Sequence, residues 1–261
     1  MPVSVLLVGC GKMGGALLDQ WVKCPGYSFS VIDPAGPALP DGVELHTSLS
    51  SLGDRQFDML VVAIKPQLID TVLPGHASLL SPSGCVLSIA AGCSVARLAR
   101  AVGPTAIIRV MPNLPSAIGA GVSGLYANSD VTTTHRDQAE TLMQAAGVAV
   151  WVEDEDQIDR VTAIAGSGPG YVFEFARTYV EAAKALGFSH DQARDLVLGT
   201  IAGTVDMARQ SRDSLETLRN SVTSPNGTTE AGLAALNGDG KLTALLEATT
   251  QAAYKRAVEL R

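Results

Sequence analysis

The stretch "VSVLLVGCGKMGGALLDQW", beginning at Val3, constrains the fold more than any other segment. A short apolar run reads as a strand, glycines follow at Gly9, Gly11 and Gly14, and a helical pattern begins at once. G-x-G-x-x-G at a strand-to-helix turn meets three physical demands. These are a tight turn, an open approach for a pyrophosphate, and close packing of helix on strand. The first helical residues, Lys12 and Met13, carry N–H groups with no partner inside the helix, which suits phosphate oxygens. The plainer alternative is a glycine turn that binds nothing.

The rest of the first half favours the cofactor. Phe29–Ile32, Met59–Ile64, Val86–Ile89 and Ile107–Val110 are short, apolar, β-branched runs separated by loop or helix-like sequence. Such repetition predicts a largely parallel, doubly wound sheet covered on both faces. Gly124–Ala127 and Val148–Val152 extend the sheet, joined by a helix from about Asp137 to Ala146.

Asp33 ends the second predicted strand, twenty-two residues after Gly11. A carboxylate there accepts hydrogen bonds from ribose hydroxyls and repels a 2′-phosphate, so charge favours NAD over NADP. The rival reading is a simple turn residue. Ligands of such sheets bind at the carboxyl ends of the strands. That edge brings forward Lys65 and Pro66 of "AIKPQ", Ala91 of "SIAAG", and Asn113 of "RVMPNLPSAIGAG" as cofactor-pocket candidates. For Lys65 the competing reading is a solvated lysine, and for Arg109 a structural ion pair.

The chain has 261 residues, with 46% hydrophobic and 17% charged side chains, enough for a sizeable core under a lightly charged surface. Nineteen basic against twenty-six acidic residues give −7, with no basic block, which disfavours nucleic acid as a partner. No apolar run is long enough for a membrane span, and the N-terminus has no basic leader. Cys10, Cys24, Cys85 and Cys93 fit neither a disulfide scaffold nor a zinc site, so reduced thiols in the cytoplasm are expected, and no metal.

The sequence changes character at "EDEDQID", residues 153–159, read as a solvated helix start. Residues 1–153 are assigned to the dinucleotide domain and 154–261 to a helical domain. Val172, Ala176, Tyr179, Ala183 and Leu186 make one apolar helical face, with Gly187 as its stop and Ser189 capping the next helix. Val197, Ile201, Val205 and Ala208 repeat the spacing there. A final helix from Lys241 to Arg261 suits packing against a partner chain, or is a simple terminal helix.

Two loops in this half have ligand-like character. "AGSGPGYVFEF", residues 165–175, offers small residues where a ligand or another helix passes close. In "SVTSPNGTTEAGL", residues 221–233, Pro225–Asn226–Gly227 is a turn before a helix starting near Thr228. Its N–H groups and hydroxyls form a receptor for a small carboxylate, or ordinary helix caps.

Taken together, these motifs resemble the pyrroline-5-carboxylate reductases. The marks are Gly9, Gly11, Met13 and Gly14; Lys65–Pro66; Met111–Pro112–Asn113; Gly166–Ser167–Gly168–Pro169 with Tyr171; and Ser224–Pro225–Asn226–Gly227–Thr228–Thr229 with Gly232. They span nearly the whole chain, and the last is the most specific. The resemblance implies an N-terminal Rossmann-like domain and a C-terminal all-helical domain that dimerises, with a decamer of dimers as a larger assembly. It implies reduction of Δ1-pyrroline-5-carboxylate to L-proline by NADH or NADPH. Ser224, Gly227, Thr228 and Thr229 match the loop for the substrate carboxylate, Ser224 and Thr229 serve catalysis, and Thr229 matches the threonine near the ring nitrogen. Lys65 and Asn113 match the cofactor pocket.

Three positions depart from the family pattern. Asn226 stands where glycine is usual, yet asparagine tolerates left-handed backbone. Leu114 replaces a common threonine. Asp33–Pro34 stands where NADP-preferring relatives commonly have Asn–Arg, which again favours NADH.

A protonated cyclic imine is easy to reduce, so orientation suffices and no nucleophile, metal or strong acid is required. His46, His76, His135 and His190 lie on no recognised site loop and are expected at the surface or in loops. The rival dehydrogenases of hydroxy acids need a lysine or histidine at the alcohol, and Lys184, Lys241 and Lys255 lie in no glycine-rich loop. A dinucleotide-sensing protein is the non-enzymatic rival.

Overall fold

The computed structural model describes residues 2–261. The first helix-and-strand run is β1 (Val3–Val8), α1 (Lys12–Trp21), β2 (Tyr27–Ile32), β3 (Glu44–His46), β4 (Phe57–Val62), α2 (Ile69–Val72), β5 (Leu80–Ser88), α3 (Val95–Val102), β6 (Ala106–Met111), β7 (Gly121–Ala127), α4 (Thr133–Ala145) and β8 (Gly147–Trp151). The strands form one sheet in the order β3-β2-β1-β4-β5-β6-β7-β8. All neighbours are parallel except β6 and β7. The first six follow the doubly wound order, so the expected fold class is present.

Alternation along the strands makes two cores. Val5, Leu7, Val31, Met59 and Val61 face Leu17, Leu18 and Trp21 of α1 and Leu142 and Met143 of α4. Leu6, Val8, Ile32, Leu60 and Val62 face the other way, against Ile69, Leu73 and Leu98. Because both faces are covered, β1 and β4 read as continuous apolar runs rather than as an alternating pattern. β4 lies two residues earlier than its apolar stretch suggests. Ala63 and Ile64 leave the sheet to line the edge instead, and β5 is longer than the expected Val86–Ile89.

By compactness the chain divides into Met1–Pro169 with Ala253–Arg261, and Gly170–Ala252. In the first unit, α5 (Asp156–Val161) continues into a π-helical turn over Thr162–Gly166. The helices that follow are α6 (Gly168–Ala185), α7 (His190–Gln210), α8 (Leu215–Ser221), α9 (Thr228–Asn237) and α10 (Lys241–Glu259). Ser189 caps α7 in a reciprocal capping box with Gln192, as its position predicts.

The second unit has a small core of its own, Val180 and Ala183 of α6 against Ala193 and Val197 of α7. Ala176 of the expected α6 face is buried too, but Val172, Tyr179 and Leu186 are exposed, with Phe173 and Phe175 beside them. A single chain leaves this apolar surface uncovered.

The acidic run opens α5 as expected, but only Glu153 and Asp154 are exposed, and its other carboxylates are engaged by the protein. Glu155 pairs with the buried Arg109 at 2.7 Å and also accepts the Val95 N–H. Asp156 accepts from Tyr254 and Arg261, and the buried Asp159 from Arg261. The end of the chain is therefore fastened to α5, and Leu260 lies against Gly92. Among the described residues, no helix is long and apolar enough to cross a membrane.

Candidate active site

The ladders set the strand ends level. Val8 pairs with Ile32 and with Val62, and Val62 with Ser88. Gly9, Asp33, Ala63 and Ile89 therefore emerge side by side, with Gly9 N–H donating to the Ile32 carbonyl and Ala63 N–H to Val8. β1 has β2 on one side and β4 on the other, and this reversal of winding opens a crevice at the carboxyl edge.

The three glycines divide the work as the motif requires. Gly9 has φ +86, and a Cβ there would stand 2.7 Å from Ile64 Cγ2 and 3.1 Å from the Ala63 carbonyl oxygen. At Gly14 a Cβ would meet Ala63 Cβ at 3.1 Å, so α1 rests directly on β4. Gly11 is different: nothing lies within 4 Å of its missing Cβ. No side chain caps α1, which leaves the N–H groups of its first turn, including Lys12 and Met13, free beside that open space. The cradle fits a pyrophosphate.

A cavity of about 480 Å³ continues from this turn. Gly9, Gly11, Asp33 and Lys65 all line it, which brings four expected residues together. Asp33 accepts the Cys10 N–H at 2.7 Å and the Ala35 N–H at 2.9 Å, so its carboxylate is held at the cavity wall. Thr47, Ser48 and Leu49 also line it, as do Leu68, Val72 and His76. These were not among the sequence candidates. Thr47–Leu49 follow β3, a strand too short to be seen.

The remaining candidates lie off the cavity wall. Lys12, Met13 and Gly14 belong to the first turns of α1, and Pro66 opens the 3₁₀ turn after Lys65. Ala91 is exposed in the loop after β5. Asn113 is buried, and its side chain is spent on the protein: Nδ2 donates to the Ala165 carbonyl at 3.0 Å and Oδ1 accepts the Val122 N–H at 2.9 Å. It thereby ties the loop after β6 to the start of "AGSGPG". Leu114 beside it is exposed.

A larger cavity of about 650 Å³ lies at the opposite strand edge, around Asp58, Pro104 and Gln138. Parallel sheets do not bind ligands there, so we assign the chemistry to the carboxyl edge.

In the helical unit, Asn226 takes φ +60, the left-handed conformation expected where relatives carry glycine. Its N–H is accepted by Glu230 at 2.6 Å. Gly227 is the N-cap of α9, and a Cβ there would fall 2.4 Å from Ser224 Oγ and 2.9 Å from the Ser224 carbonyl oxygen. Ser224 is thus folded back over the helix start. No side chain caps α9, and among the described residues the hydroxyls of Ser224, Thr228 and Thr229 have no hydrogen-bond acceptor. The free N–H groups and positive end of α9 lie beside Ser224, with Thr228 and Thr229 in the first turn, which suits a carboxylate.

Two histidines depart from the surface positions expected of them. His135 is buried, with Nε2 2.9 Å from the Ser83 carbonyl and Nδ1 accepting the Thr132 N–H to complete a capping box on α4. His76 is buried against the cavity just described. The lysines that a hydroxy-acid dehydrogenase would need are occupied, Lys184 by Glu181 and Lys241 by Asp239.

Comparison with known proteins points to one family. Residues 155–260 match the family model "Pyrroline-5-carboxylate reductase dimerisation". A pyrroline-5-carboxylate reductase of Pseudomonas aeruginosa is 37% identical over 98% of this chain and 96% of its own length. The structure of a pyrroline-5-carboxylate reductase from Coxiella burnetii superimposes with a TM-score of 0.91 at 32% identity, covering 100% of this chain and 99% of that one. The Plasmodium falciparum pyrroline carboxylate reductase with NADP bound gives 0.84 at 27% identity, covering 99% and 98%.

Proposed function

The chain belongs to the pyrroline-5-carboxylate reductase family, and on that premise we propose how its residues share the reduction of Δ1-pyrroline-5-carboxylate to L-proline with NAD(P)H. The enzyme is an oxidoreductase of proline biosynthesis, and it self-associates as a dimer through the matched helical segment. The uncovered Val172, Phe173 and Tyr179 surface is what such a partner would bury.

When bound, the reduced nicotinamide supplies the hydride. The chain supplies position. N–H groups after Gly9 and Gly11 hold the pyrophosphate, while Lys12, Met13 and Gly14 keep α1 aimed at it. Asp33 accepts the ribose hydroxyls, and its charge disfavours a 2′-phosphate, so NADH is preferred. Lys65, Pro66, Ala91 and Asn113 shape the rest of the strand edge, Asn113 by fixing its loop rather than by offering its amide.

Ser224 and the N–H groups of Thr228 and Thr229 bind the substrate carboxylate, with Gly227 permitting their close approach. Thr229 donates a hydrogen bond at the ring nitrogen and so orients the imine carbon. It is a poor acid, and the imine arrives protonated or takes its proton from solvent. The observation that carries this reading is the uncapped start of α9 with Ser224 folded against its N-cap residue Gly227.

We place the functional boundary near residue 153, beside the start of the matched dimerisation segment. Four unpaired thiols support a reducing compartment, the cytoplasm. A decamer of dimers is the larger assembly to seek by mass measurement in solution.

The test is product identification. Purified protein given L-pyrroline-5-carboxylate and NADH should form L-proline in amounts equal to the NADH consumed. Consumption without proline would refute the substrate assignment.

A further inference from the structure

We propose that His76 reads the base of the dinucleotide, its Nε2 accepting a hydrogen bond from the exocyclic amine of adenine. The inference rests on the dinucleotide reading of the cavity and adds a residue that determines cofactor specificity. Three observations carry it.

The first concerns the tautomer. His76 Nδ1 lies 2.9 Å from the carbonyl oxygen of Val72, one turn earlier. A carbonyl can only accept, so Nδ1 must carry the proton of the neutral ring. Nε2 is then a bare acceptor, and it has no hydrogen-bond partner among the described residues. Burial holds the imidazole below its ordinary pKa, which keeps this neutral form in place at neutral pH.

Second, the ring is 5% exposed and lines the same cavity as Gly11 and Asp33. Phosphate and ribose are accounted for by groups at the ends of β1 and β2. The wall that remains comes from the segments after β3 and β4: Leu49, Leu68 and Val72, with Ile64 beside them and the polar Thr47, Ser48 and Lys65 among them. A Cβ on Gly75 would stand 3.2 Å from Leu49 Cδ1, so the turn that carries His76 lies directly against Leu49. This wall is mostly apolar and suits a flat heterocycle.

Third, an unpaired acceptor among apolar side chains such as Leu68 and Val72 is costly to cover unless a donor arrives with the ligand. The one strong donor on an adenine ring is its exocyclic amine. Apolar side chains grip the faces of the base, and His76 reads its edge.

Equilibrium binding, followed by nicotinamide fluorescence, tests the assignment with NADH and with deamino-NADH, whose base carries a carbonyl in place of the amine. Wild-type protein should bind the deamino form more weakly by about five- to tenfold, because a lost hydrogen bond leaves two acceptors facing each other. In His76→Leu the two affinities should converge to within about twofold. His76→Gln, whose carboxamide oxygen can stand where Nε2 does, should recover part of the discrimination. Equal affinities in wild type, or an unchanged ratio in His76→Leu, would overturn the assignment while leaving the cavity a dinucleotide site. Folded wild type that binds neither compound would overturn both. The wild-type ratio decides the matter even where a variant fails to fold.

Discussion

Asp33 Oδ2 accepts the backbone N–H of Cys10 at 2.7 Å, so the carboxylate ending β2 is fastened to the glycine turn ending β1. The two parts expected to hold phosphate and ribose are thereby one rigid piece. In the cofactor assignment proposed above, the bond also fixes the negative charge that disfavours a 2′-phosphate.

Asp33→Asn removes that charge and keeps an acceptor for Cys10. The ratio of kcat/KM for NADH over NADPH should fall by about ten- to hundredfold, the size expected for relief of a close like-charge contact. Steady-state kinetics with both cofactors measure it. An unchanged ratio would leave Asp33 a turn residue.

How much of this was legible in the sequence depended on how local the constraint is. Gly9 and Asn226 announce themselves because a positive φ restricts residue type at those points, and Gly11 through the motif it completes. β3 escaped notice because it has three residues, Leu45 is its one apolar side chain, and that side chain is exposed. Thr47 and Ser48 escaped with it. The acidic run was misread for the opposite reason. Asp156 and Asp159 find Tyr254 and Arg261 about a hundred residues away, a pairing that no periodicity reveals. The same holds for His76, which lines one cavity with Leu49 and Gly11, far from it in sequence.

Thr229→Ala should separate orientation from binding. Loss of one hydrogen bond at the reacting ring predicts kcat lower by about five- to twentyfold, with the Kd for NADH unchanged. Single-turnover rates and cofactor titration together check it. A weakened Kd would move Thr229 into the cofactor site.

The turn before α9 makes a paired prediction. Gly227→Ala forces a methyl group to within 2.9 Å of the Ser224 carbonyl oxygen, so the loop must open. The KM for pyrroline-5-carboxylate should rise by about tenfold or more, with NADH affinity intact. Asn226→Gly should leave KM and thermal stability nearly unchanged, because the backbone is already at φ +60. Asn226→Ala should cost about 1 kcal/mol.

Arg109 is buried and depends on Glu155 for its partner. Glu155→Gln leaves a buried cation without its counter-charge and should destabilise the first unit by about 2–4 kcal/mol. At this chain length that lowers the Tm by about 5–12 °C, measurable by calorimetry. Arg160→Gln, at an exposed pair with Asp156, should change it by less than about 2 °C.

The most direct test follows consumption of NADH and NADPH in parallel with Δ1-pyrroline-5-carboxylate as substrate. The account predicts rapid turnover with both and a kcat/KM for NADH higher by about tenfold or more. A preference for NADPH would contradict the role given to Asp33. No consumption of either cofactor, by protein that binds NADH, would contradict the reductase itself.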